Sequence, residues 1–189
     1  NTRAGQRTER PLAVLERSGL VERVFPVGED SPKSALLRIH DNYLRFWFNI
    51  VEPSQQLIDG GQGRAVITDR MPRSNPLVAE VFEREARRHA ARSLGGSAQV
   101  GEWWTHRPAQ AQIDVLGHQR NRWTLVGEVK WKPTFTLADY RQLQRHLSVA
   151  GDRAGAVELI GWSQTSLSDE VRRINPSFRH CTAYEVCIT

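Results

Sequence analysis

A chain of 189 residues, 39% apolar and 25% charged, has enough apolar material for a core of ordinary size and too much to remain disordered. Its 26 lysines and arginines against 21 aspartates and glutamates leave a net charge of +5, which favours a polyanionic partner, nucleic acid being the usual one. No apolar run is long enough to span a membrane, no secretory leader pattern opens the chain, no P-loop occurs, and six scattered histidines with two cysteines give no zinc spacing. Membrane insertion, ATP binding by this segment and structural zinc are therefore not expected, and a cytoplasmic setting with reduced cysteines is. The first residue is Asn1 and the single methionine is Met71, so the chain reads as part of a longer protein.

Residues 1–52 read as the latter part of a winged helix with an apolar helix after it. A helix over 11–17 ends at Gly19, a C-cap position. Runs 20–25 and 35–39 then read as strands on either side of turn chemistry from Gly28 to Lys33. Asp41 is placed to cap a helix over 42–51, which Tyr43, Leu44, Phe46, Trp47, Phe48 and Ile50 make apolar nearly all round. Such a helix must be covered, by a neighbouring module or by a missing part of the parent chain. Residues 53–74, with Pro53, Gly60, Gly61, Gly63 and Pro72, read as the join to a second domain over 75–189.

That domain opens with Asn75 as N-cap and Pro76 at the first helical position of a helix that carries Val78, Phe82, Ala86 and Ala90 at helical spacing and stops at Gly95-Gly96. Strand-like runs follow over 98–105, 110–116 and 122–131, the last two joined by a loop over 117–121. Thr136 and Asp139 form a capping-box pattern ahead of a helix through Tyr140, Leu143 and Leu147, stopped at Gly151. A strand over 157–160, a helix over 166–174 and a final strand over 182–188, to which Cys181 and Cys187 belong, complete the chain.

The chemistry-bearing residues lie on the central strands. Side chains two apart on a strand point the same way, so Glu128 and Lys130 share a face, and Asp114 joins them if its run pairs with theirs as a hairpin. Two hard oxygen ligands and an ammonium then converge, an arrangement suited to Mg2+ or Mn2+ and to phosphodiester cleavage. Lys130 and Lys132 are two of only three lysines in the chain. The competing reading is a solvated strand face with a weak ion pair. Arg84, Arg87, Arg88, Arg92, Arg120, Arg122 and Lys132 could track a phosphate backbone, or be solvated singly. Trp103 and Trp104 must face opposite sides of a strand, for base stacking or for the core, and Gln142 falls near the site or in solvent.

The order of helix, three strands, helix and strand, with Glu83 on the first helix, Asp114 on the second strand and Glu128-Val129-Lys130 on the third, resembles the PD-(D/E)XK nuclease superfamily. More narrowly, Ile39-His40-Asp41-Asn42-Tyr43, Gly101-Glu102-Trp103-Trp104, Ile113-Asp114-Val115 and Gly127-Glu128-Val129-Lys130-Trp131 are similar to the C-terminal region of archaeal-type AAA+ ATPases. The resemblance implies an α/β fold: a restriction-endonuclease-like αβββαβ core preceded by a partial winged-helix module. It implies that Asp114, Glu128 and the Val129 carbonyl hold Mg2+ or Mn2+, and that Lys130 orients or helps deprotonate the attacking water. The family often has Cys where this chain has Val129, a position that contributes only its main chain. Glu83 would reach the metal or its water; the alternative is an ion pair with Arg87. Arg84, Arg88, Arg122 and Lys132 would contact DNA. The implied activity is hydrolysis of DNA beside the ATPase module of a longer chain, with room for a homo-oligomer; the alternative is a catalytically silent nucleic-acid-binding or oligomerisation module.

Overall fold

The computed structural model describes residues 2–29, 34–96, 98–105, 110–120, 122–150 and 157–188. Two compact units are present, Asn1–Phe25 with Ser31–Leu77, and Pro26–Asp30 with Val78–Thr189.

In the first unit α1 (Thr2–Arg17) ends as its sequence dictates. Gly19 adopts φ 72°, and the Leu20 and Gly19 N–H groups donate back to the Leu15 and Glu16 carbonyls, the paired closure of a Schellman motif. Strands β1 (Val21–Val24) and β2 (Leu36–Ile39) pair antiparallel. Asp41 caps α2 (Asn42–Phe46), its Oδ1 accepting from the Leu44 N–H at 2.7 Å. The expected single helix over 42–51 is instead α2 followed by a π-helical turn, Trp47–Val51; Tyr43 of α2 and Phe48 of the turn are exposed while Ile50 is buried. The segment expected as a join is itself helical, with α3 (Gln55–Asp59), α4 (Gly63–Arg70) and a 3-10 turn over Met71–Ser74. Gly60 and Gly61 sit at the turn between α3 and α4, where Gly61 needs φ 77°. Because that 3-10 turn runs on into α5 (Asn75–Ser93), Asn75 already has helical angles and is not the N-cap.

In the second unit α5 stops at Gly95 and Gly96, both with positive φ. A five-stranded mixed sheet follows, ordered β3-β4-β5-β7-β9, so the unit is an α/β fold. Its members are β3 (Gln99–Thr105), β4 (Ala111–Gln119), β5 (Arg122–Val129), β7 (Glu158–Ser163) and β9 (Arg179–Thr182). The first three are antiparallel, and β5, β7 and β9 run parallel. Between β5 and β7 lie β6 (Thr134–Phe135) and α6 (Leu137–Ala150), and β8 (Ser166–Leu167) and α7 (Asp169–Ile174) precede β9. The hairpin loop expected over 117–121 is shorter, since β4 and β5 remain paired out to Gln119 and Arg122 and Arg120 takes the left-handed φ of 50°. The helix expected over 166–174 begins only at Asp169, because Ser166 and Leu167 pair with β6.

The chain end departs most from expectation. The strand expected over 182–188 is α8 (Ala183–Ile188), so Cys181 lies on β9 and Cys187 on a helix. Thr182 and Glu185 explain it: the Glu185 carboxylate accepts from the Thr182 N–H at 2.6 Å and the Thr182 hydroxyl accepts from the Glu185 N–H at 3.3 Å, a reciprocal capping box. The stop expected at Gly151 lies outside the described residues. Among the described residues no helix is long and apolar enough to cross a membrane.

Each face of the sheet carries its own core. Trp103, Ile113, Leu116 and Val126 pack with Phe135, Tyr140, Leu143 and Val171 on the side of α6 and α7. Val115, Leu125, Ile160 and Trp162 pack with Phe82, Ala86, Ala90 and Val186 on the side of α5 and α8. Gly127 makes room in the second of these cores: a Cβ there would overlap the indole of Trp162, which is fully buried. Gly127→Ala should therefore cost about 1–3 kcal/mol by overpacking. An unchanged denaturation midpoint would show that the indole does not rest on this glycine.

Candidate active site

Asp114 sits at an irregularity that explains its orientation. Gly101 pairs with Leu116 and Trp103 with Ile113, so Asp114 and Val115 together oppose the single residue Glu102. This is a β-bulge, a device that re-aims a side chain and ends regular pairing. On the other edge, the β4–β5 ladder ends at Val115 opposite Gly127. There the Asp114 side chain replaces the main chain, its Oδ2 accepting from the Val129 N–H at 2.9 Å. Arg87 on α5 donates to the Asp114 main-chain carbonyl at 3.0 Å. The carboxylate is thus held at the end of β5 by the Val129 N–H, while Arg87 fixes the main chain of the same residue from α5.

Glu128, 1% exposed, falls on the α6 face because its neighbours Gly127 and Val129 serve the opposite core. Its Oε1 pairs with the Lys130 ammonium at 2.5 Å, while its Oε2 has no hydrogen-bond partner and lies 3.8 Å from His146 Nδ1 on α6. The Lys130 N–H donates to the Trp162 carbonyl at 2.9 Å, extending the parallel pairing past the end of β5 and fixing the root of the side chain. Asp114, Glu128 and Lys130 therefore do meet, beyond the carboxyl end of a parallel strand, the usual place for a site in an open α/β sheet.

The electrostatics are those of two acids crowded in a dry place. Burial, then repulsion from Asp114, pushes Glu128 up to about 7. Burial also raises Asp114, against the Val129 N–H, Lys130 and Arg87, which pull it down, while Glu102 adds to the rise. Burial disfavours the Lys130 charge, but Glu128 and then Asp114 and Asp139 more than offset that and hold its ammonium protonated above the ordinary range. His146 is lowered by burial, with Asp114 and the Gln112 main chain opposing.

Lys132, by contrast, is held elsewhere. Its ammonium lies 2.7 Å from Asp139 Oδ2, which also accepts from the Thr136 N–H at 2.7 Å and closes the expected capping box of α6. Burial would raise the Asp139 pKa, yet the bonds from Lys132 and Thr136 outweigh it and depress the value. A depressed carboxylate contributes stability above its unfolded pKa, 3.8, and loses it as pH falls through the lower folded value. Asp139→Ala should accordingly cost about 1–2 kcal/mol at neutral pH. In denaturant titrations at descending pH its gap from wild type should close only in acid; a gap independent of pH would remove the carboxylate from the account.

The other expected site residues scatter. Glu83 is half-buried on α5, one turn before Arg87, whose guanidinium is directed to Asp114. The Arg88 guanidinium pairs with Glu85 at 2.6 Å, and exposed Arg122 is at the hairpin end of β5, the opposite end from Glu128. Arg84 is half-buried on α5. Of the four residues expected to contact DNA, Arg88 and Lys132 are thus engaged with Glu85 and Asp139, and Arg122 stands at the far end of β5 from Glu128. Trp103 is buried edge-to-face on Trp123 and belongs to the core. Sequence reasoning missed the roles of Arg87, Glu102 and His146. His146 had a signal, being three residues after inward-facing Leu143 on the stripe of α6 that faces the sheet.

A hard divalent cation suits this donor set: two carboxylates forced together in a buried place, one of them with an oxygen lacking any hydrogen bond, and a main-chain carbonyl at Val129. Asp114, Glu128 and Val129 would hold it. Among the described residues no three His, Cys, Asp and Glu side chains are already grouped as a metal cage. In comparisons with known proteins, a family model described as archaea bacterial proteins of unknown function matches residues 47–143, just over half of the chain. No curated protein and no solved structure matches.

Proposed function

Because the chain belongs to that family, DUF234, whose description assigns no activity, its chemistry has to be argued from its own residues, and we propose that its second unit is a divalent-metal-dependent nuclease hydrolysing phosphodiester bonds in DNA. The observation that carries this reading is the buried pair Asp114 and Glu128, each raised in pKa, with the Lys130 ammonium set on one of them at the end of β5. A fold does not collect two repelling carboxylates in its interior for stability, since each costs desolvation energy. They make sense as ligands.

A bound cation would supply a polarised phosphate and a water of lowered pKa. Lys130, 27% exposed at its side chain and anchored through Oε1 of Glu128, stands between the buried acids and solvent, where its positive charge can stabilise a phosphoryl oxygen as charge develops. The Val129 N–H keeps Asp114 turned toward the same point. Glu83, on α5, is the outlying member of the set. The net charge of +5 favours a polyanion. The order of α5, three antiparallel strands, α6 and a parallel strand agrees with a restriction-endonuclease-like core. On this reading the chain is the C-terminal region of an AAA+ ATPase acting in the cytoplasm, with DNA and the ATPase module as its partners.

The test is cleavage of supercoiled plasmid by purified protein with Mg2+ or Mn2+, and again after chelation. Nicking or linearisation is expected with metal and none with chelator. DNA binding that weakens as salt rises, without cutting under any metal, would leave the silent binding module; absence of both would leave only assembly.

A further inference from the structure

We infer that His146 supplies a nitrogen donor to this site, so that the ion it takes is a transition-series divalent cation such as Mn2+ in preference to Mg2+. The inference rests on the reading of Asp114 and Glu128 as a metal site and narrows it.

Two buried atoms carry it. Nδ1 of His146 and Oε2 of Glu128 face each other at 3.8 Å, and neither has a hydrogen-bond partner. That distance is too long for a hydrogen bond. A buried polar atom left unsatisfied costs about 1–3 kcal/mol, and each such atom calls for an explanation, a bound ion among them. Here two of them, from different elements, meet at one place. Two donors about 2.1 Å from one ion lie between about 3 and about 4.2 Å apart, and the observed separation falls inside that interval. Asp114 offers a further donor on the same side: the Val129 N–H holds Oδ2, whereas Oδ1 has only a 3.5 Å approach from Gln112 Nε2.

The placement of His146 argues against simple packing. It lies on the stripe of α6 that otherwise buries Tyr140, Leu143 and Leu147, where an apolar side chain would serve a core better. Carboxylate, carbonyl and water donors suit Mg2+ and Mn2+ alike, whereas imidazole suits transition metals, so of these two ions Mn2+ is the one that gains from a nitrogen donor. One nitrogen among the donors shifts the balance.

Calorimetric titration of the whole chain with MnCl2 and with MgCl2, for wild type, His146→Ala, His146→Gln and Asp114→Ala, tests this. Wild type should bind Mn2+ at least ~10-fold more tightly than Mg2+, and both His146 variants should lose ~10-fold or more in Mn2+ affinity with Mg2+ affinity little changed. An unaltered Mn2+ to Mg2+ ratio in the His146 variants overturns the inference, while loss of binding in Asp114→Ala would leave the metal site standing. Wild type that binds neither cation overturns both. Should the His146 variants misfold by circular dichroism, wild type loaded with Co2+ decides: a contact-shifted, exchangeable imidazole proton supports nitrogen ligation, and its absence rejects it.

Discussion

Asp114→Asn should lose metal-dependent cleavage by at least ~10²–10³-fold and, at pH 8, unfold at a higher temperature than wild type. The two effects have one cause. Burial raises the Asp114 pKa above that of the unfolded chain, so folding at pH 8 must either carry its charge into a dry place beside Glu128 or take up a proton, and both cost free energy. A group of this sign contributes most below its unfolded pKa and becomes a cost as pH rises through the folded value. Asparagine removes that charge but keeps an oxygen that can accept the Val129 N–H now bonded at 2.9 Å, so the end of β5 stays closed. A gain of roughly 1–2 kcal/mol, or a few degrees in Tm, is expected. Glu128, relieved of its neighbour's charge, should titrate below its present value of about 7. On the proposed reading, the same exchange takes one ligand charge from the bound cation. Plasmid cleavage and a thermal scan at pH 8 check both halves; a variant that is inactive and also less stable would mean that Asp114 is a structural residue.

Local chemistry was readable in the sequence wherever a short motif decides the backbone. Gly19 closes α1, Asp41 caps α2 and Thr136 with Asp139 opens α6, each through a bond spanning a few residues. The same logic, applied to Thr182 and Glu185, would have revealed α8, where the alternating pattern suggested a strand. The acidic pair was readable because period two on β5 and one hairpin suffice to bring Asp114, Glu128 and Lys130 together. What escaped is what tertiary packing decides. The bulge at Asp114 depends on β3 contributing one residue fewer than β4, and the reach of Arg87 and His146 depends on which helix covers which face. The arginine tract was readable as charge but not as placement. Charge along the sequence suggested a DNA-binding track, but folding pairs Arg88 with Glu85 and sends Arg122 to the far end of β5.

Lys130→Ala should destabilise the protein strongly at pH 8, by about 2–4 kcal/mol, and hardly at all at pH 5. The reasoning starts from Glu128, which has its folded pKa at about 7 against an ordinary 4.5 even with the lysine present. A raised carboxylate contributes its stability fully below the unfolded pKa and loses it as pH climbs through the folded one. In wild type that slope spans pH 4.5 to about 7 and amounts to a loss on the order of 3 kcal/mol, since each pH unit of difference is worth ~1.4 kcal/mol. Lys130 limits the loss by pairing with Oε1 at 2.5 Å. Without it the carboxylate is buried beside Asp114 with no cation in contact, its pKa rises further, and the slope extends to higher pH. At pH 5 Glu128 is protonated in the folded state of either protein, so the lysine has little to neutralise. Replacing Glu128 by Gln in the same background should restore most of the stability at pH 8, because the charge that lacked a partner is then absent. Denaturant unfolding at both pH values, for the single variants and the double, measures this directly. An equal deficit at pH 5 and pH 8 would show that Lys130 supports the fold through its methylene stem alone, and the charge cluster at the end of β5 would lose its organising cation.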